Sequence, residues 1–166
     1  LNEAEKGWNS CISHAQEAKD HNRALECAST ALDAHQILTS TNEWNRWTEQ
    51  LEKLLTKPVY DSDLRQFYTL RLMWAEATLF ARQGNLDKAK AVLEQIQSIS
   101  GKDVPLDSKA FFIKEIQTEI ALKEKDRETL ERILKQNQNA TSEDNCFVLF
   151  LEARIADTLV ESPKLI

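Results

Sequence analysis

The chain has 166 residues, 42% of them apolar and 29% charged, with a formal net charge of -6. That is one domain's worth of sequence, enough to bury roughly 70% of its unfolded surface. Lys and Arg are scattered rather than striped, which argues against a nucleic-acid surface, and no apolar run reaches the ~20 residues that span a bilayer. Only three Gly and three Pro occur, which leaves little material for hairpin turns or sheet and points to an all-α fold. No signal-peptide pattern opens the chain. It starts at Leu1 rather than Met, so we expect a single domain over 1–166 that is part of a longer protein.

Residues 2 to 38 read as a first pair of helices. Trp8, Cys11, Ile12 and Ala15 share one side, Ala24, Ala28, Ala31 and Leu32 another, with a polar turn around Asp20 between them. Residues 40 to 57 open on Ser40 and Glu43 at capping-box spacing and carry Trp44, Trp47, Leu51, Leu54 and Leu55 at helical intervals. Pro58 ends that helix, and residues 61 to 63 cap the next. From Asp63 to Gln83 runs a helix with apolar groups on nearly every side, the mark of burial on several faces. Gly84 suits a left-handed helix end, and Asn85 and Asp87 can serve the amides that start the following helix. There Leu86, Ala89, Val92, Leu93 and Ile96 form one stripe. A break at Gly101 to Asp107 precedes another pair over 108 to 136, turning near Lys125 and Asp126, and a last helix covers about 143 to 160. The sum is about eight helices.

The run LFARQGNLDKAKAVLEQI resembles a tetratricopeptide repeat, a 34-residue helix-turn-helix unit. Phe80 matches its large late residue, Ala77 the small residue before it, Gly84 the turn, and Ala89 and Leu93 the second helix. Ile96 departs from the usual Ala, and the closing Pro is missing. The first pair is similar too, with Trp8 at the early aromatic position, but it departs at Ile12 and at Lys19, which stands where the family has its turn Gly. Ala24, Ala89 and Leu130 align as equivalents, yet the steps between them are not multiples of 34, so the units are degenerate. The resemblance implies antiparallel hairpins stacked as a right-handed superhelix that binds a peptide or partner helix in a concave groove. Asn9 and Ser13 stand where the family's chaperone-tail clamp has its Lys and Asn pattern, which disfavours that ligand class.

In the repeat register Met73, Ala77 and Phe80 face the partner helix, and Arg71, Trp74, Thr78 and Arg82 form a stripe beside them. An aromatic flanked by two Arg is the composition of binding hot spots and suits an acidic or carboxylate-bearing partner. The competing reading has Trp74 packed on the preceding hairpin. The two make opposite forecasts: in an open groove Trp74→Ala costs binding and little stability, and Phe80→Ala costs the core.

Catalytic chemistry is sparse. His14 and His21 lie seven apart with Glu17 between, but no Glu-x-x-His or His-Glu-x-x-His spacing accompanies any His, and no metal or other cofactor is expected. No Gly-rich phosphate loop or nucleophile elbow occurs. Cys11, Cys27 and Cys146 are an odd number in a chain with its own core, so we expect reduced thiols, a cytoplasmic setting and a fold insensitive to reductant or chelator. Cys146 to Leu151 are six consecutive apolar residues, more than one buried helix face hides, which points to self-association through the last helix or cover by another segment. The function expected is a protein-binding scaffold rather than an enzyme, with a ligand-sensing regulatory domain of a larger signalling or transcription-regulating protein as the alternative. No nucleic acid or membrane partner is expected.

Overall fold

Three sharp joints set the architecture, and each is closed by the same backbone turn. In the computed structural model, which describes residues 2–38, 41–57, 62–99, 106–137 and 152–158, Lys19, Gly84 and Lys125 take φ values of 58°, 83° and 56°. One residue on, the amides of Asp20, Asn85 and Asp126 donate to carbonyls five residues back, on Ala15, Phe80 and Ala121, at 2.8, 2.8 and 2.9 Å. This Schellman closure satisfies carbonyls that a helix end leaves open. The carbonyls of the same three residues then accept from the amides of Ala24, Ala89 and Leu130, which start the next helix and are all fully buried. The equivalence of those three positions is therefore geometric. Asp20 and Asp126 add side-chain caps to the amides of Arg23 and Thr129, whereas Asn85, expected to cap, makes no such bond.

Lys19 and Lys125 hold a conformation that costs an L-residue about 1–2 kcal/mol. Lys19→Gly and Lys125→Gly are each expected to raise unfolding free energy by up to about 1 kcal/mol, the gain being trimmed by the flexibility Gly adds to the unfolded chain. Gly84→Ala is expected to lower it by about 1 kcal/mol. A Cβ at Gly84 meets no atom within 4 Å, so that loss is purely a backbone effect. Denaturant melts of the three variants check the set.

Seven helices are bounded in this way or by their own ends: α1 (Asn2–Glu17), α2 (His21–Leu38), α3 (Thr41–Leu55), α4 (Ser62–Arg82), α5 (Leu86–Ser98), α6 (Leu106–Glu124) and α7 (Arg127–Asn137). Residues 152–158 are helical as well, and every regular element among the described residues is a helix. The fold is all-α. Ser40, Pro58, Asp61, most of the 101 to 107 break, Cys146 to Leu151 and the ends of the last expected helix lie outside the described residues.

The central helix α4 explains its own composition. It packs against α2, α3, α5 and α6, so it has no broad polar face to spare. Tyr68, Leu70, Trp74, Ala75, Ala77, Thr78, Leu79 and Ala81 are all buried. Ala77, Ala81 and the facing Ala89 have no exposed surface, and their small side chains let α4 and α5 approach closely. One apolar cluster runs from Ile12 in α1 to Ile120 in α6. A second, smaller one joins Ala121, Leu130, Ile133 and Ile155 between the end of α6, α7 and the 152–158 segment. No described helix is long and apolar enough to cross a membrane.

The cysteines correct one expectation. Cys11 of α1 and Cys27 of α2 face each other, as the sequence places them, but they are joined by a disulfide rather than packed as free thiols. The bond closes a loop of sequence separation 16, which in the chain-entropy account is worth about 3 kcal/mol. Reductant, or Cys11→Ser with Cys27→Ser, is expected to lower the thermal midpoint visibly, in place of the indifference expected from the odd cysteine count.

Candidate functional site

Arg71, Trp74, Thr78 and Arg82 do share one side of α4, as their offsets predict. That side is not an open groove. It is the seam where α4 meets the hairpins before and after it, so the groove expectation is overturned. Arg71 reaches back to α2 and pairs with Asp33. Trp74 is 1% exposed, with its ring 6.1 Å from Trp44 of α3 and stacked at 5.1 Å on Phe112 of α6. Thr78 has no exposed surface and donates its hydroxyl to the Trp74 carbonyl at 2.8 Å, the usual way a mid-helix Thr satisfies itself. Arg82 sits 4.4 Å over the Trp44 ring and donates from Nε and Nη2 to Glu119 of α6 at 3.0 and 2.8 Å.

The two guanidiniums are thus neutralised from within. Glu119, 1% exposed, also receives both Nη groups of Arg154 from the 152–158 segment. Two cations on one carboxylate tie three elements together through charge-assisted bonds. At the other end of the stripe, burial pushes the Asp33 carboxyl above its usual range, and the nearby Arg71 charge only partly pulls it back. Neither Arg is presented to an acidic partner.

A second polar constellation lies at the far end of the array, where α1, α2 and α3 meet. His35 of α2 is fully buried and stands 3.2 Å from the carboxylate of Glu5 in α1. Glu43 of α3 brings its own carboxylate close, so that one ligand atom from each of the three lies within 4.8 Å of the others. Trp8 meets the His35 ring edge-on at 5.8 Å and Trp47 stacks on it at 6.3 Å. Arg46 spans the opening, 3.3 Å from Glu5 and 3.2 Å from Glu43. Short-range spacing rules do not find this group, because its members are thirty and eight positions apart on three helices. The available signal was that His35 continues the series Ala24, Ala28 and Ala31 at helical offsets, on the buried side of α2. By contrast His14 is exposed, its ring pairs with the Ser10 hydroxyl, and neither it nor His21 belongs to the cluster of ligating side chains found among the described residues.

One open cleft, of about 230 Å³, lies between α5, α6 and α7. Leu93, Ile120 and Ala121 give it an apolar floor, and Lys90, Glu124 and Arg132 supply both signs of charge at its rim. Lys90 and Glu124 pair across it at 2.5 Å. No family model matches the chain, and no curated protein or solved structure gives a significant match.

Proposed function

We propose that the chain is a protein-interaction module, a tetratricopeptide-like array of degenerate helical hairpins that binds a peptide or partner helix. The observation that carries this reading is the recurrence of one joint, with the same Schellman closure and a fully buried residue at the same offset after it, at 19–24, 84–89 and 125–130. Repetition of one hairpin unit is how solenoid arrays are built, and such arrays present extended surfaces to partners. The binding surface we assign is the cleft between α5, α6 and α7, not the α4 stripe. Its mixed rim favours a partner carrying both charge signs rather than a purely acidic one. At about 230 Å³ it falls below the roughly 300–1,000 Å³ of small-molecule sites, which favours the interaction reading over a ligand sensor. The Cys11–Cys27 bond counts against a cytoplasmic setting, since such bonds persist mainly in oxidising compartments.

Selection of a displayed peptide library on the purified protein tests the reading. Enriched peptides should lose binding by about tenfold or more when Gln117→Arg fills the cleft, the scale of a central contact, with the thermal midpoint preserved. Failure to enrich any peptide, or enriched peptides indifferent to Gln117→Arg, would remove the assignment.

A further inference from the structure

We propose that Glu5, His35 and Glu43 form a binding site for a divalent first-row transition ion of the zinc class, clamped between α1, α2 and α3. Three residues of ligating chemistry converge from three separate helices, with ligand atoms within 4.8 Å of one another. His35 supplies the second, independent observation. It has no exposed surface, and neither ring nitrogen has a hydrogen-bond partner among the described protein atoms. Buried polar groups are nearly always satisfied, so an imidazole placed this way needs a reason.

Its Nε2 points at the cluster and lies 3.2 Å from Glu5 Oε1, without hydrogen-bond alignment. Two ligand atoms each ~2.1 Å from a tetrahedral ion stand about 3.4 Å apart, which this pair already matches. Glu43, whose side chain is 36% exposed, then has to close in by a side-chain rotation. One neutral imidazole and two carboxylates carry a charge of about -2, which a divalent ion neutralises. The nitrogen ligand selects zinc, cobalt or nickel over calcium and magnesium, which take oxygen sets. Solvent completes the coordination sphere.

Arg46 identifies the competitor. Its guanidinium bridges both carboxylates and lies 5.3 Å from the centre of the Trp47 ring, yet half of its side chain is exposed, which leaves it a path outward. In the metal-free protein Arg46 is the counter-ion; on binding, the metal replaces it. This makes a forecast that no adventitious surface site shares: removing Arg46 should tighten metal binding.

The test is a titration of the chelator-treated, full chain with Co²⁺, read by its visible absorption and by displacement with Zn²⁺. Trp8 and Trp47, packed on His35, give an independent fluorescence signal. One equivalent should bind, Glu5→Gln and Glu43→Gln should each weaken it by about tenfold or more, and Arg46→Gln should strengthen it. His14→Gln with His21→Gln should leave it unchanged. Because His35→Gln sits in the core, the partly exposed Glu43 is the deciding position. No binding, binding that survives Glu43→Gln, binding lost with His14 and His21, or weakened binding in Arg46→Gln each overturns the proposal.

Discussion

Trp74→Ala is expected to lower the unfolding free energy by about 3–5 kcal/mol, the scale of a large aromatic removed from a packed core. The indole fills the space between Trp44 and Phe112, on helices either side of α4, and is 1% exposed. Its removal opens a cavity at the point where three helices meet, and no single neighbour can collapse into it. Phe80→Ala should cost less. Phe80 is only partly buried, and Lys88 covers one face of its ring at 5.3 Å. The order of the two variants in urea or thermal denaturation decides between this packing and an open groove, which demands the reverse order.

Glu119→Ala is the second large effect, at about 3 kcal/mol or more. Truncation leaves the side chains of Arg82 and Arg154 without the carboxylate that receives both, in surroundings where Arg82 is 11% exposed. The loss comes from desolvated charge rather than from lost packing, so much of it should be repaired by removing the Arg82 charge, because Arg154, at 30% exposed, reaches solvent more readily. The double variant Arg82→Met with Glu119→Leu is expected to be markedly more stable than Glu119→Ala alone. A double variant that falls further, by the sum of the single losses, would mean that the two residues do not act as one group.

The helices were legible in the sequence because composition leaves them no rival and because the joints carry turn chemistry at Asp20, Gly84 and Asp126. Lys19 and Lys125 hid the repetition of the joint. Lys has no preference for positive φ, so only the backbone reveals that all three turns are alike. The α4 stripe shows a different limit. Offsets of three and four fix which residues share a side, and they did so correctly for Arg71, Trp74, Thr78 and Arg82. What covers that side depends on α2, α3 and α6, whose approach is not written in the spacing within α4. The cysteines failed through parity. Cys11 and Cys27 fall on facing sides of the first pair of helices, but an odd total of cysteines in a chain with its own core gives no ground for joining them. The cluster at Glu5, His35 and Glu43 was beyond reach for the same reason as the seam, since it depends on three helices closing on one another.

The reach of α4 also shapes how the molecule opens. A chain of hairpins that touched only their neighbours would fray from either end, one unit at a time. Here one helix is shared by the elements before and after it, so α2 to α6 have to separate together or not at all. The small cluster around Leu130, Ile133 and Ile155 stands outside that arrangement. Amide hydrogens of α7 should therefore exchange with solvent through a cheap local opening, while those of α4 wait for the whole body to unfold. The cleft we assign to a partner borders α7, so occupying it should slow exchange there first.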